Sequence, residues 1–168
     1  MPTPHLSRAH TIRRVGNLLN LSSLLGFAIA RLGRAGLAQG PEGLTLAEGY
    51  RPRFPVAGAF TVGNVVITAS SVARLSDHHP DVLRHESAHA WQYFWCGGLP
   101  FLPLYALAAG WSWLRTGDPA SRNLFERGAG LHRGGYREAP VTNAGLRRLR
   151  RAIQTLTEKP NRLAERSR

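Results

Sequence analysis

The chain has 168 residues and a formal charge of +12, with 43% of its residues hydrophobic and 19% charged. That length suits a single domain, and the apolar share is enough for a packed core, which excludes a chain disordered throughout. A single cysteine, Cys96, excludes an intramolecular disulfide framework and a multi-cysteine zinc ribbon, while 21 arginines against one lysine, Lys159, give the surface strong anion-pairing groups.

Residues 1–11 read as a flexible arm. From Ile12 to Leu32 the spacing predicts a helix with Leu18, Leu21, Leu25, Ile29 and Leu32 on one face. Val15 to Ala30 is uncharged and follows Arg8, Arg13 and Arg14, the outline of a signal peptide, but Asn17, Asn20, Ser22 and Ser23 interrupt it. We read it as a buried helix of the mature domain, which makes a cytoplasmic chain the expectation, with membrane association or secretion as alternatives. Gly33, Gly36 and Gly40-Pro41 end the helix, and residues 43–55 form a connector with a short apolar alternation at Leu44 and Leu46.

Residues 59–68 carry the best strand signal, two β-favouring runs around Gly63-Asn64 that predict a hairpin with a two-residue turn. Residues 70–79 read as a loop. Pro80 introduces a helix from Asp81 to about Trp95, stopped by Gly97-Gly98. A second helix covers Pro100 to Leu114. The uncharged stretch 90–114 is broken by Gly97-Gly98, Pro100 and Pro103, and Phe101 to Leu114 gives only 14 residues where a bilayer span needs about 20. A third, shorter helix starts near Ser121 or Arg122 and includes Phe125 and Glu126. The fold class expected is α+β, mainly helical, with a short hairpin ahead of the helix that begins at Asp81.

The domain proper is expected over 12–136, followed by a basic, partly helical tail over 137–168. In that tail Leu146, Leu149, Ile153 and Leu156 recur at helical spacing, with Arg147, Arg148, Arg150 and Arg151 around the other faces. Such a helix suits an anionic membrane surface or nucleic acid, and a solvated charged tail is the plainer reading. No helix-turn-helix, aromatic RNA-binding pair or finger spacing accompanies the charge.

One motif carries chemistry: His85-Glu86-Ser87-Ala88-His89, on the helix that begins at Asp81. Residues i and i+4 share a helix face, so both imidazoles reach one ion, and Glu86 stands about 100° around the axis, where it touches water held by the metal rather than the metal itself. Zinc brings the pKa of such a water towards neutrality, and the carboxylate takes its proton. Chance produces this pattern about 0.01 times in a chain of this composition. Leu83, Trp91, Tyr93 and Phe94 argue that the segment is buried, where two histidines and a glutamate need a partner.

A catalytic zinc takes three protein ligands and leaves a position open. Glu126 is the first candidate for the third, since the intervening helix can act as a return leg that brings it back to the motif. His132, in a glycine-rich stretch, and Asp118, in a Gly-Asp-Pro turn suited to helix capping, are the alternatives. Gln92, one turn after His89, is a candidate to orient a ligand, and Tyr136 and Tyr105 are candidate donors to an oxyanion. The four tryptophans read as core or interface, and Cys96 as a small buried hydrophobe.

His85-Glu86-x-x-His89-x-x-Gln92, the Gly-rich break, the Leu-Pro-Leu-Tyr helix and Asn123-x-x-Glu126-Arg127 together resemble the zincin metallopeptidases. The similarity is closest to their gluzincin branch and to small bacterial proteins with a truncated zincin core, and it covers roughly residues 59–136. It implies one zinc held by His85, His89 and Glu126, with Glu86 as general base and acid and Val65 to Thr68 lining the cleft. A peptide or protein substrate follows, with a protein partner or homo-oligomer to complete so small a cleft. Many gluzincins place an aspartate four residues after the third ligand to orient the first histidine. Here that position is Gly130, so the orienting group has to come from elsewhere. The competing expectation is a zinc-stabilised binding module that acts through its Arg-rich tail.

Overall fold

A computed structural model describes residues 6–52 and 58–165, with the side chains after Thr157 left aside. Residues 1–5 of the expected arm, 53–55 of the connector with the two residues after it, and 166–168 of the tail lie outside the described residues.

The N-terminal periodicity predicts one helix, and the structure contains two. Helix α1 spans Arg8–Leu19 and helix α2 Ser22–Leu32, meeting at 74°. The helix thus starts at Arg8 rather than Ile12, because Ser7 accepts from the His10 amide and caps it. The break has an equally local cause. Asn20 Oδ1 accepts from the Ser22 amide and hydroxyl, at 3.1 and 2.7 Å, and Leu21 adopts the left-handed φ of 68°. The buried face also differs from the expected one. Arg13, Asn17, Ser22, Ser23, Gly26 and Ala30 point inward, while Leu18, Leu21 and Leu32 are exposed.

Among the described residues, four short strands form one mixed sheet in the order β1-β2-β4-β3. Strands β3 (Ala59–Val62) and β4 (Val65–Thr68) are the expected hairpin, with Val62 paired to Val65 across Gly63-Asn64. Gly63, at φ 62°, leaves no room for a Cβ against Ser22 and Ser23, which requires glycine in this turn. The connector reading misses β1 (Gly36–Gln39) and β2 (Thr45–Glu48). Strand β2 runs parallel to β4, a pairing that no local pattern announces.

Strand β4 is buried along its whole length, and its alternation sorts two cores. Val65 and Ile67 meet Ala30 and Ala47 on the α2 side. Val66 meets Ala90 and Leu44 on the side of helix α4 (Val82–Trp95). The result is an α+β layering, α2 over the sheet over α4, that puts the motif helix across one sheet face.

Residues 72–78 form helix α3 (Val72–His78), not a loop, because Ser71 caps the Arg74 amide and the Glu48 carboxylate accepts from the Val72 amide. Helix α5 (Phe101–Thr116) closes on Gly117 at φ 83°, and Asn123 caps helix α6 (Leu124–Ala129) through the Phe125 amide. Helix α7 (Ala144–Glu165) begins against the end of α5, where the Thr142 and Asn143 amides donate to the Arg115 carbonyl. Of the tryptophans, Trp95 and Trp111 are exposed rather than packed in the core.

A buried polar bundle locks α1 to the motif helix. The fully buried Arg13 donates to Ser87 Oγ at 2.7 Å and to the Glu42 carbonyl at 2.6 Å, and its guanidinium lies 5.2 Å from the Trp91 ring centroid. Asn17 donates to Asn64 Oδ1 and the Ala90 carbonyl, both at 2.8 Å. Replacing Arg13 by Met strands these acceptors without a donor, and the expected cost is about 3 kcal/mol. In thermal denaturation that appears as a fall in Tm of roughly 6–12 °C.

Candidate metal centre

Helices α4 and α6 supply the centre. His85 and His89 lie one turn apart on α4, and Glu126 enters from the first turn of α6; all three side chains are buried. His85 Nε2 and His89 Nε2 are 3.1 Å apart. Glu126 Oε2 lies 3.2 Å from His85 Nε2, and Glu126 Oε1 3.6 Å from His89 Nε2. One ligand atom from each residue falls within 4.8 Å of the others.

The outer nitrogens decide what faces inward. His85 Nδ1 lies 3.2 Å from the Gly130 carbonyl, and His89 Nδ1 lies 2.8 Å from Gln92 Oε1. Gln92 is itself oriented, because its amide nitrogen donates to the Phe125 carbonyl at 2.8 Å and leaves the oxygen for His89. Both Nδ1 atoms face acceptors and so carry the protons, which turns both Nε2 lone pairs inward. Two imidazole Nε2 atoms and a carboxylate then converge, and the Tyr105 hydroxyl donates to Glu126 Oε1. Glu126 Oε2 is buried and makes no hydrogen bond. The three residues could hold a metal ion, and two imidazoles with a carboxylate are a donor set that fits a first-row divalent metal.

The titration behaviour follows from the same geometry. Burial alone would raise the Glu126 pKa, but the two imidazoles and the Tyr105 hydroxyl outweigh it and hold the carboxyl well below the usual range. Burial would lower His89, yet Glu126, with help from the Glu86 charge and Gln92, moves it upward on balance. Burial and then the Glu126 charge push the Tyr105 phenol up, and burial with Glu126 and Glu86 does the same for Tyr136, so both stay protonated near neutrality.

Glu86 stands beside the cluster without joining it. Its Oε2 accepts from Thr61 Oγ1 at 2.6 Å, which ties the carboxylate to the middle of β3, an edge strand. These groups line a cleft of about 440 Å³, together with Phe60, Phe101, Leu102, Tyr105 and Tyr136. Tyr136 reaches the cleft with its ring centroid 6.0 Å from that of His85. Gly134 presses on the same imidazole, since a Cβ there would lie 2.7 Å from His85 Nε2.

Neither alternative ligand joins the cluster, although Asp118 also lines the cleft. His132 is exposed and outside the cluster, and Asp118 Oδ2 accepts from the Ala120 and Ser121 amides as a cap. Three participants escape sequence reasoning: Thr61, the Gly130 carbonyl and the Tyr105 contact to Glu126. The Gly130 carbonyl supplies, from the backbone, the orienting acceptor that the side chain at that position lacks. Tyr105 alone left a trace, since its hydroxyl made it a candidate donor, though to an oxyanion rather than to Glu126. Replacing Gln92 by Met removes the oxygen that orients His89, and metal affinity is expected to fall about 10- to 100-fold in a competition titration against a chromophoric chelator.

In comparisons with protein-family models, with curated proteins and with solved structures, the chain has no match in any of the three.

Proposed function

We propose that the chain is a zinc-dependent hydrolase of the zincin kind that cleaves a peptide or protein, with His85, His89 and Glu126 as ligands and Glu86 as general base. The observation that carries this reading is the convergence of the two Nε2 lone pairs and the Glu126 carboxylate beside a cleft-lining carboxylate that stays outside the cluster. Two imidazoles and a carboxylate suit zinc, and three ligands leave a position for chemistry. Zinc, when bound, supplies Lewis acidity and brings the pKa of a water towards neutrality.

The protein's own groups divide the remaining work. Glu86 takes the proton of the attacking water and passes it to the leaving amine, and Thr61 fixes which way the carboxylate faces. Tyr136, held protonated by its surroundings, donates to the oxygen that gains charge. Strand β3, at the sheet edge beside the cleft, offers backbone groups with which an extended peptide pairs.

The test is the metal content of the full chain by mass spectrometry, joined to hydrolysis of a fluorogenic peptide mixture. One zinc per chain is expected, with cleavage that stops on chelation and returns with zinc. A chain that takes up no metal from a zinc solution, or cleavage indifferent to the chelator, overturns the reading.

A further inference from the structure

Two uncharged stretches far apart in sequence, 15–30 and 90–114, meet at one corner of the molecule. The α1–α2 turn lies directly on the α4–α5 turn, so closely that a Cβ on Gly98 would come within 2.6 Å of the Asn20 carbonyl oxygen. This corner exposes Leu18, Leu19, Leu21, Leu24, Trp95 and Leu99, and Leu19 and Trp95 each leave 76% of their surface open. An exposed apolar cluster of this kind marks an interaction surface rather than ordinary scatter.

The charges around the corner say what it meets. Helices α1, α2 and α5 contain no acidic residue. The nearest cation on α1 is Arg14, about 8 Å along the axis from Leu19, and on α2 Arg31, about 15 Å from Leu21. Arg8 and Arg34 stand farther back, and all four are exposed. An apolar tip backed by arginine matches the depth profile of an anionic bilayer, where apolar groups enter about 5–10 Å and cations stay among the headgroups. Trp95 stands at the rim, where indole prefers the interface. No single helix among the described residues is long and apolar enough to cross a membrane; α1 and α2 pass that test only as a bent pair, the shape of a re-entrant tip.

We infer that the α1–α2 and α4–α5 turns form a docking tip that inserts into one leaflet of an anionic lipid bilayer. The inference is independent of the hydrolase reading. Leu102, in the first turn of α5, lines the cleft and its amide donates to the carbonyl of Leu99 in the tip, so docking brings that side of the cleft towards the lipid.

The test is co-sedimentation of the full chain with vesicles of phosphatidylcholine, with and without phosphatidylglycerol, alongside the variants Leu19→Glu and Trp95→Glu. Wild type is expected to bind the anionic vesicles, with blue-shifted tryptophan emission. Each variant should weaken binding more than about tenfold, and Leu19→Glu should do so with an unchanged melting curve, since its side chain is exposed whereas Trp95 also packs on Trp91 and Phe94. Wild type that fails to bind overturns the inference. So does binding that survives both variants but is lost when Arg147, Arg148, Arg150 and Arg151 are changed to Gln, which assigns docking to α7. A vesicle-free dimer that either variant dissociates also overturns it, by making the corner an interface between copies.

Discussion

Glu86→Gln is expected to keep its zinc and to lose hydrolysis by about two to four orders of magnitude, the usual share of a general base. The carboxylate contributes no atom to the metal cluster, so metal content should match wild type. The amide oxygen still accepts from Thr61 Oγ1, which preserves the local packing and the melting curve. What changes is the ability to take a proton. Glu86→Asp is the companion variant: it retains the charge but withdraws it by one methylene, and a misplacement of that order costs about 10². Activity unchanged in both variants would sink the hydrolase reading. A binding module acting through α7 would be indifferent to both and sensitive to loss of its arginines.

Glu126→Ala should lose the metal. Structural zinc sites hold their ion with roughly 10–16 kcal/mol across four ligands, so one ligand is worth about 2.5–4 kcal/mol, or two to three orders of magnitude in affinity. Mass spectrometry after dialysis reads this directly. Glu126→Gln separates charge from shape, because it keeps the volume beside Tyr105 and removes the anion. Zinc retained in both variants would move the third ligand outside the cluster.

The same site predicts a pH dependence. The His89 pKa lies above its ordinary value of 6.5, so the metal-free protein holds a proton there at pH values where a free imidazole is neutral. That proton has to leave before the lone pair is available, so zinc affinity rises with pH across and somewhat above 6.5 and falls by up to about tenfold per unit on the acid side. In Glu126→Ala the largest contribution that raises His89 is gone while those of Glu86 and Gln92 remain, so this window moves to lower pH.

The motif helix and the hairpin were legible because their signals are local. His85, Glu86 and His89 need only helical periodicity to share a turn, and Gly63-Asn64 marks its own reversal. Glu126 was legible from chemistry and spacing, since few other carboxylates follow the motif. The N-terminal segment was not. Its leucines repeat at helical spacing, yet the inward face is Arg13, Asn17 and Ser22, buried because each finds a hydrogen-bond partner. Apolar periodicity says nothing about a core face built from polar groups. Strand β2 and the Gly130 carbonyl act through long-range pairing and main-chain atoms, which residue types do not encode.

Gln92 joins the two halves of the centre by ordinary hydrogen bonds, one to His89 on α4 and one to the backbone of α6. The three candidate ligands are therefore brought together by the fold itself. Stripping the ion should leave a folded holder rather than an unravelled chain, and reloading should run at the speed of diffusion into the cleft instead of waiting for refolding. Under the zinc reading proposed above, uptake and loss are expected to be reversible, with occupancy that follows the free zinc around the protein.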